Sequence, residues 1–123
     1  GVEELQYDAG AAAYRAGDLE HARERLRRAL AVEDNPELAA AAHFALGNVG
    51  VRAAEAASGD PGAAITELRS ATESYRRALD LTPDAEDAAH NLELARTRLQ
   101  QLLEQLLLDH TGLRSEQEVV QVL

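Results

Sequence analysis

Cysteine and lysine are both absent from the 123 residues, and so are methionine and tryptophan. Without cysteine there are no disulfides, no thiolate nucleophile, no Cys-bearing zinc site and no iron–sulfur cluster, and the redox compartment is left unmarked. Without lysine there is no Schiff-base chemistry and no P-loop lysine. Aromatic residues make up only 3% of the chain, with a single Phe. No run of apolar residues reaches the roughly 18 needed for a transmembrane helix, so no membrane span is expected. Positive charge is scarce: 12 basic residues, all arginine, stand against 22 acidic ones, for a net charge of -10. Long-range attraction to a polyanion is thereby opposed, and neither nucleic acid nor an anionic membrane is an expected partner.

What is present is helix-forming. Apolar residues make up 46% of the chain and charged ones 28%, a globular composition, and 25 residues are Ala and 19 Leu. A chain of this length buries roughly two thirds of its surface on folding, enough for one core without staples. The chain starts at Gly1 rather than Met, as expected of a processed or trimmed piece, and a leader or anchor upstream stays compatible with it.

Stop and start signals divide the chain into six expected helices, near 3–16, 19–32, 36–57, 61–81, 84–109 and 115–122. Gly17-Asp18, Asn35-Pro36 and Asp60-Pro61 each combine a helix end or cap with a fresh N-terminus. Ser115 with Glu118 reads as a capping box before a last short helix carrying Val119, Val120, Val122 and Leu123. Residues 1–110 are expected to form one domain with its own capping helix, and 111–123 a turn and short helix.

The helices repeat in pairs. Leu26-Arg27-Arg28-Ala29-Leu30 matches Tyr75-Arg76-Arg77-Ala78-Leu79, and Gly10 matches Gly47. Small residues at Ala22, Ala29, Gly47, Ala71 and Ala78, with Leu46 beside them, are expected to be buried where helices cross, next to bulky residues that fill the adjoining hollows. In this pattern the chain resembles a tetratricopeptide repeat (TPR) protein. The resemblance covers about residues 3–100 and implies an all-α solenoid of helical hairpins, two and a half repeats long. Gly10 to Ala22 spans 12 residues and Gly47 to Ala71 spans 24, so the middle hairpin is expected to be elongated. Six extra residues per arm add about 9 Å of helix to each, and Arg52 to Arg69 is expected to extend beyond its neighbouring pair. The long helix after Asp84 is expected to cap the open end of the solenoid. A narrower likeness, in Asp84-Ala85-Glu86-Asp87-Ala88-Ala89-His90-Asn91-Leu92-Glu93-Leu94-Ala95-Arg96, is to the TPR proteins of bacterial aerotolerance (Bat-type) operons. It implies a von Willebrand A domain protein as partner and a periplasmic or inner-membrane-associated setting; outside that group the expectation is cytoplasmic.

No residue pattern points to an enzyme. His21, His43, His90 and His110 fall in no metal-ligating spacing, the acidic pairs stand at helix ends where they complement the dipole, and no Gly-rich loop follows a strand. No metal and no cofactor are expected. The TPR resemblance places the first helix of each unit on a concave surface and so implies a groove for a protein or peptide partner, formed by Tyr7, Tyr14 and Arg15, then Phe44, Asn48 and Arg52, then His90 and Arg98. Arg15, Arg52 and Arg98 recur at equivalent places, and arginine takes a carboxylate with a planar fork. The expected function is a non-enzymatic scaffold, with homodimerisation through the Leu-rich C-terminal helix as the alternative. There Leu99, Leu102 and Leu106 are expected on an inner stripe, and Leu103 and Leu107 on an offset one that seats a second copy.

Overall fold

The computed structural model describes residues 1–31, 34–111, 117, 120 and 121. Five α-helices of at least a turn occur among them, and no strand: α1 (Val2–Arg15), α2 (Leu19–Ala29), α3 (Pro36–Ala56), α4 (Pro61–Leu81) and α5 (Glu86–Thr111). The expected starts at 19, 36 and 61 are those of α2, α3 and α4, and the local chemistry explains them. Asp18, Asn35 and Asp60 each accept a hydrogen bond from a backbone N–H three residues on, at His21 (3.2 Å), Leu38 (3.0 Å) and Ala63 (3.1 Å). Pro36 and Pro61 open their helices where no intrahelical donor is needed. Gly17, at φ 83°, supplies the left-handed residue that reverses the chain after α1.

Two boundaries differ from expectation. Helix α2 stops at Ala29 because the Leu30 N–H is shared between the Leu26 and Arg27 carbonyls, which tightens the last turn; Val32 lies outside the described residues. Helix α5 begins at Glu86 rather than 84 because the Ala85 N–H closes a turn onto the Thr82 carbonyl and uses Asp84 inside it. The expected short helix at 115–122 falls on residues of which only Gln117, Val120 and Gln121 are described; all three are exposed.

Each helix packs on the next, and α1 also touches α3. Two lines of cross-links sort the helices into layers. Arg52 of α3 donates to the Tyr14 carbonyl of α1, and Asn91 of α5 donates to Asn48 of α3. Behind them an Arg23–Glu67 ion pair, mostly shielded from solvent, joins α2 to α4. The core divides accordingly. Ala22, Leu26 and Val49 form one cluster under Tyr7, Tyr14 and Leu46, and Ala54, Ala64, Leu68, Ala71, Tyr75, Leu92 and Ala95 form the other.

Ala22, Ala29, Ala71, Ala78 and Gly47 are buried as expected. Leu46 is only half-buried: one position from Gly47, it is turned away from α4 and lies against the first cluster instead. The glycines are crossing points. A Cβ at Gly10 would stand 2.7 Å from the Leu26 Cγ, one at Gly47 would enter the Tyr75 ring, and one at Gly50 would stand 2.9 Å from the Ala71 Cβ. The 21-residue arms α3 and α4 do outrun α1 and α2, which have 14 and 11 residues. They are not free of neighbours, however. Leu99 and Leu102 of α5 pack against the cluster that contains Ala54 and Ala64, so the 26-residue length of α5 matches the elongated hairpin it covers.

Candidate functional site

Between α3 and α5, with α4 as floor and the end of α1 alongside, lies a cavity of about 480 Å³. Its apolar surface comes from Val51 of α3, Leu68 and the Tyr75 ring of α4, and Leu94 and Ala95 of α5. Leu94 is 57% exposed, a large aliphatic side chain left toward solvent, whereas Leu68 beneath is fully buried. The polar wall is formed by Asn48, Arg52 and Glu55 on one side and by Asn91, Arg98 and Gln101 on the other.

The amides are fixed from below. Tyr75 is 1% exposed, and its hydroxyl donates to Asn48 Oδ1 at 2.6 Å. Burial pushes the ionisation of this phenol well above the ordinary tyrosine range, so it remains a donor. Asn91 Nδ2 donates to the same oxygen at 3.2 Å. Both bonds end on Asn48 Oδ1, and among the described residues the Asn48 NH2 group and the Asn91 carbonyl oxygen have no further partner.

The three arginines are not equivalent. Arg52 donates to the Tyr14 carbonyl at 3.2 Å and its guanidinium lies 4.9 Å from the centre of the Tyr14 ring, so it ties α3 to the end of α1. Arg98 lines the cavity, and among the described residues no ion pair engages it. Arg15 is exposed on the last turn of α1 and does not line the cavity. The expected groove set therefore separates. Tyr14, Asn48, Arg52 and Arg98 are brought together; Tyr7 packs in the first cluster, Phe44 stands against Tyr75 with ring centres 5.9 Å apart, and His90 is exposed outside the lining.

Tyr75 and Asn91 lie outside the expected set. Tyr75 stands where the first repeat has Leu26, and an aromatic with a hydroxyl at a repeat's core position is a readable sign of a polar contact. Asn91 is hidden from repeat spacing, because the position equivalent to Asn48 on the third face is Leu94.

Leu103 and Leu107 line, with Leu106 and His110, a shallow cavity of about 270 Å³. The expected division into two stripes does not persist there: positions 103, 106, 107 and 110 are spaced three and four apart and share one face. Among the described residues no three His, Asp or Glu side chains are placed to hold a metal ion, and no helix is long and apolar enough to cross a membrane. No family model matches this chain, and comparison with curated proteins and with solved structures finds no match either.

Proposed function

We propose that the chain is a TPR-type scaffold, non-enzymatic, that holds an acidic or carboxylate-bearing segment of a partner protein between α3 and α5. The observation that carries this reading is the cavity itself, an apolar floor with exposed Leu94 beside two fixed amides and Arg98, which no ion pair engages among the described residues. The solenoid part of the reading is supported by the packing of each helix on the next, by the α1–α3 and α3–α5 links in one layer and the α2–α4 link in the other, and by the glycine crossings at Gly10 and Gly47. A net charge of -10 makes attraction of an acidic segment local to Arg98 and Arg52. The partner to try first is the von Willebrand A domain protein implied by the aerotolerance-operon likeness. Arg98→Glu and Leu94→Glu, both at exposed positions, are expected to abolish capture of the partner while the helical circular dichroism is unchanged. Capture undiminished by both substitutions would show that the cavity is idle.

A second reading, self-association, is favoured by the apolar cavity at Leu103, Leu106 and His110. Sedimentation equilibrium of the wild type and of Leu103→Glu tests it, a shift from dimer to monomer being the expected result and a monomeric wild type the contrary one.

A further inference from the structure

The valley between α3 and α5 has a second compartment. Toward the N-terminal ends of both helices a cavity of about 300 Å³ is bounded by Glu37, Ala41 and Phe44 of α3 and by Asp87 and Ala88 of α5, with Ala78 of α4 beneath. The two cavities lie on one seam. Along α3 the lining runs Glu37, Ala41, Phe44, Asn48, Arg52 in steps of three and four, a single helical face, and the α4 floor continues from Leu68 through Tyr75 to Ala78. What divides them is the bridge from Asn48 to Asn91, held from the floor by the Tyr75 hydroxyl.

The compartments carry opposite charge. Glu37 and Asp87 face the first, whose lining has no cationic side chain among the described residues. The second presents the guanidinium groups of Arg52 and Arg98 beside the carboxylate of Glu55, the one acidic side chain that lines it among the described residues. Carboxylates in a first helical turn complement the helix dipole, which accounts for acidic residues at these positions. It does not account for the apolar slot with an aromatic wall between them, which suits the alkyl stem and cationic head of arginine or lysine. The Asn48 NH2 group and the Asn91 carbonyl oxygen remain to meet the peptide groups of a chain passing over the bridge.

Resting on the reading that this groove holds a partner segment, we infer that the valley is a bipolar receptor for an extended segment with a basic side chain at the Phe44 compartment and an acidic one at Arg98. The rise along α3 from Glu37 to Arg52 is about 22 Å, and along α5 from Asp87 to Arg98 about 17 Å, at the usual helical pitch. An extended chain covers that span in about five to seven residues. The two charges of the partner segment are therefore five to seven positions apart, and their pairing fixes which way the segment lies.

A random-peptide display library selected on the immobilised chain provides the probe. Enriched sequences are expected to carry opposite charges at that spacing. Arg98→Glu should weaken a selected peptide about tenfold, and exchanging the peptide's acidic residue for arginine should restore binding. Glu37→Lys combined with Asp87→Lys should be rescued only by exchanging the peptide's basic residue for an acidic one. Enriched peptides of one charge sign, or rescue by the crossed combination, overturn the bipolar receptor while the groove reading stands, provided that Leu94→Glu abolishes their binding. If nothing enriches, or if the enriched peptides bind the Leu94→Glu chain as well as the wild type, the groove reading falls with it.

Discussion

The two helical hairpins share one construction and differ at one residue that changes what the crossing can do. In α1–α2 the small residue Gly10 receives Leu26; in α3–α4 the equivalent Gly47 receives Tyr75. Leu26 fills its hollow and ends there, fully buried among apolar neighbours. Tyr75 fills its hollow with the ring and carries a hydroxyl through to Asn48, whose equivalent in the first hairpin is Ala11. The same packing position thus closes one crossing and makes the other the support of a polar site. The longer hairpin also has a longer partner, since α5 covers its arms with Leu99 and Leu102, while the shorter one has no helix packed on its outer side among the described residues.

The largest expected effect bears on the crossings themselves. Gly47→Ala must already displace the Tyr75 ring, and with it the Phe44 contact and the Asn48 bond. A cost of about 3 kcal/mol, the upper end for overpacking, is expected in a urea titration. Gly10→Ala meets only the branched end of Leu26 and the Ala22 carbonyl, which an added methyl would approach at 3.3 Å. About 1 kcal/mol is expected there. Equal costs at the two positions would mean that the crossings are interchangeable and the comparison empty.

Next in size is the cover that α5 gives the elongated arms. Leu99→Ala removes a half-buried side chain from the cluster around Ala54 and Ala64. A loss of about 2 kcal/mol is expected, at the low end for a core leucine, with faster amide exchange at residues 52–66 and little change in α1 and α2. Uniform acceleration through all five helices would instead make the chain one cooperative unit.

How much of this was legible depends on which physical signal carried it. The caps at Asp18, Asn35 and Asp60 are local, and each was readable from one or two residues and agrees with the structure. The elongation of the middle hairpin was readable from the repeat spacing. That its arms are covered was not, because the apolar positions of α5 fix a face but not the neighbour it meets. The three arginines show the same limit at the site. Their repeating spacing is plain in the sequence, but spacing says nothing of Tyr14, which engages Arg52, or of the valley that includes Arg98 and omits Arg15. Asn91 became a site residue only through a hydrogen bond across two helices 43 positions apart in the chain.

A smaller effect sharpens the Leu26–Tyr75 contrast directly. Tyr75→Phe keeps the ring against Gly47 and Phe44 and deletes only the hydroxyl, while Asn48 Oδ1 retains its bond from Asn91. The expected cost is about 1 kcal/mol, that of one buried hydrogen bond whose acceptor keeps another donor. Partner binding should weaken as well, because Asn48 loses its support from the floor. Loss of stability without any loss of binding would separate the polar network from the site.

The smallest effects are titrations, one in each hairpin and opposite in sign. His43 of α3 is half-buried, and burial, with the Arg77 charge adding to it, holds its pKa below the ordinary histidine value. The unfolded chain then binds more protons than the folded one as pH falls through about 6.5, so this group withdraws stability on acidification. His21 of α2 is exposed, and its hydrogen bond to the Asp18 carboxylate raises its pKa. Its contribution is fully present below about pH 6.5 and is lost as pH rises through the raised folded value. Urea midpoints between pH 5 and 8 are therefore expected to pass through a shallow maximum near about pH 6.5 in the wild type, with His43 withdrawing stability on the acid side and His21 on the alkaline side. His43→Gln should leave a profile that falls toward alkaline pH, and His21→Gln one that falls toward acid. If His43→Gln leaves the acid side unchanged, the imidazole is hydrated in solution and the α3–α4 face around it is open to water.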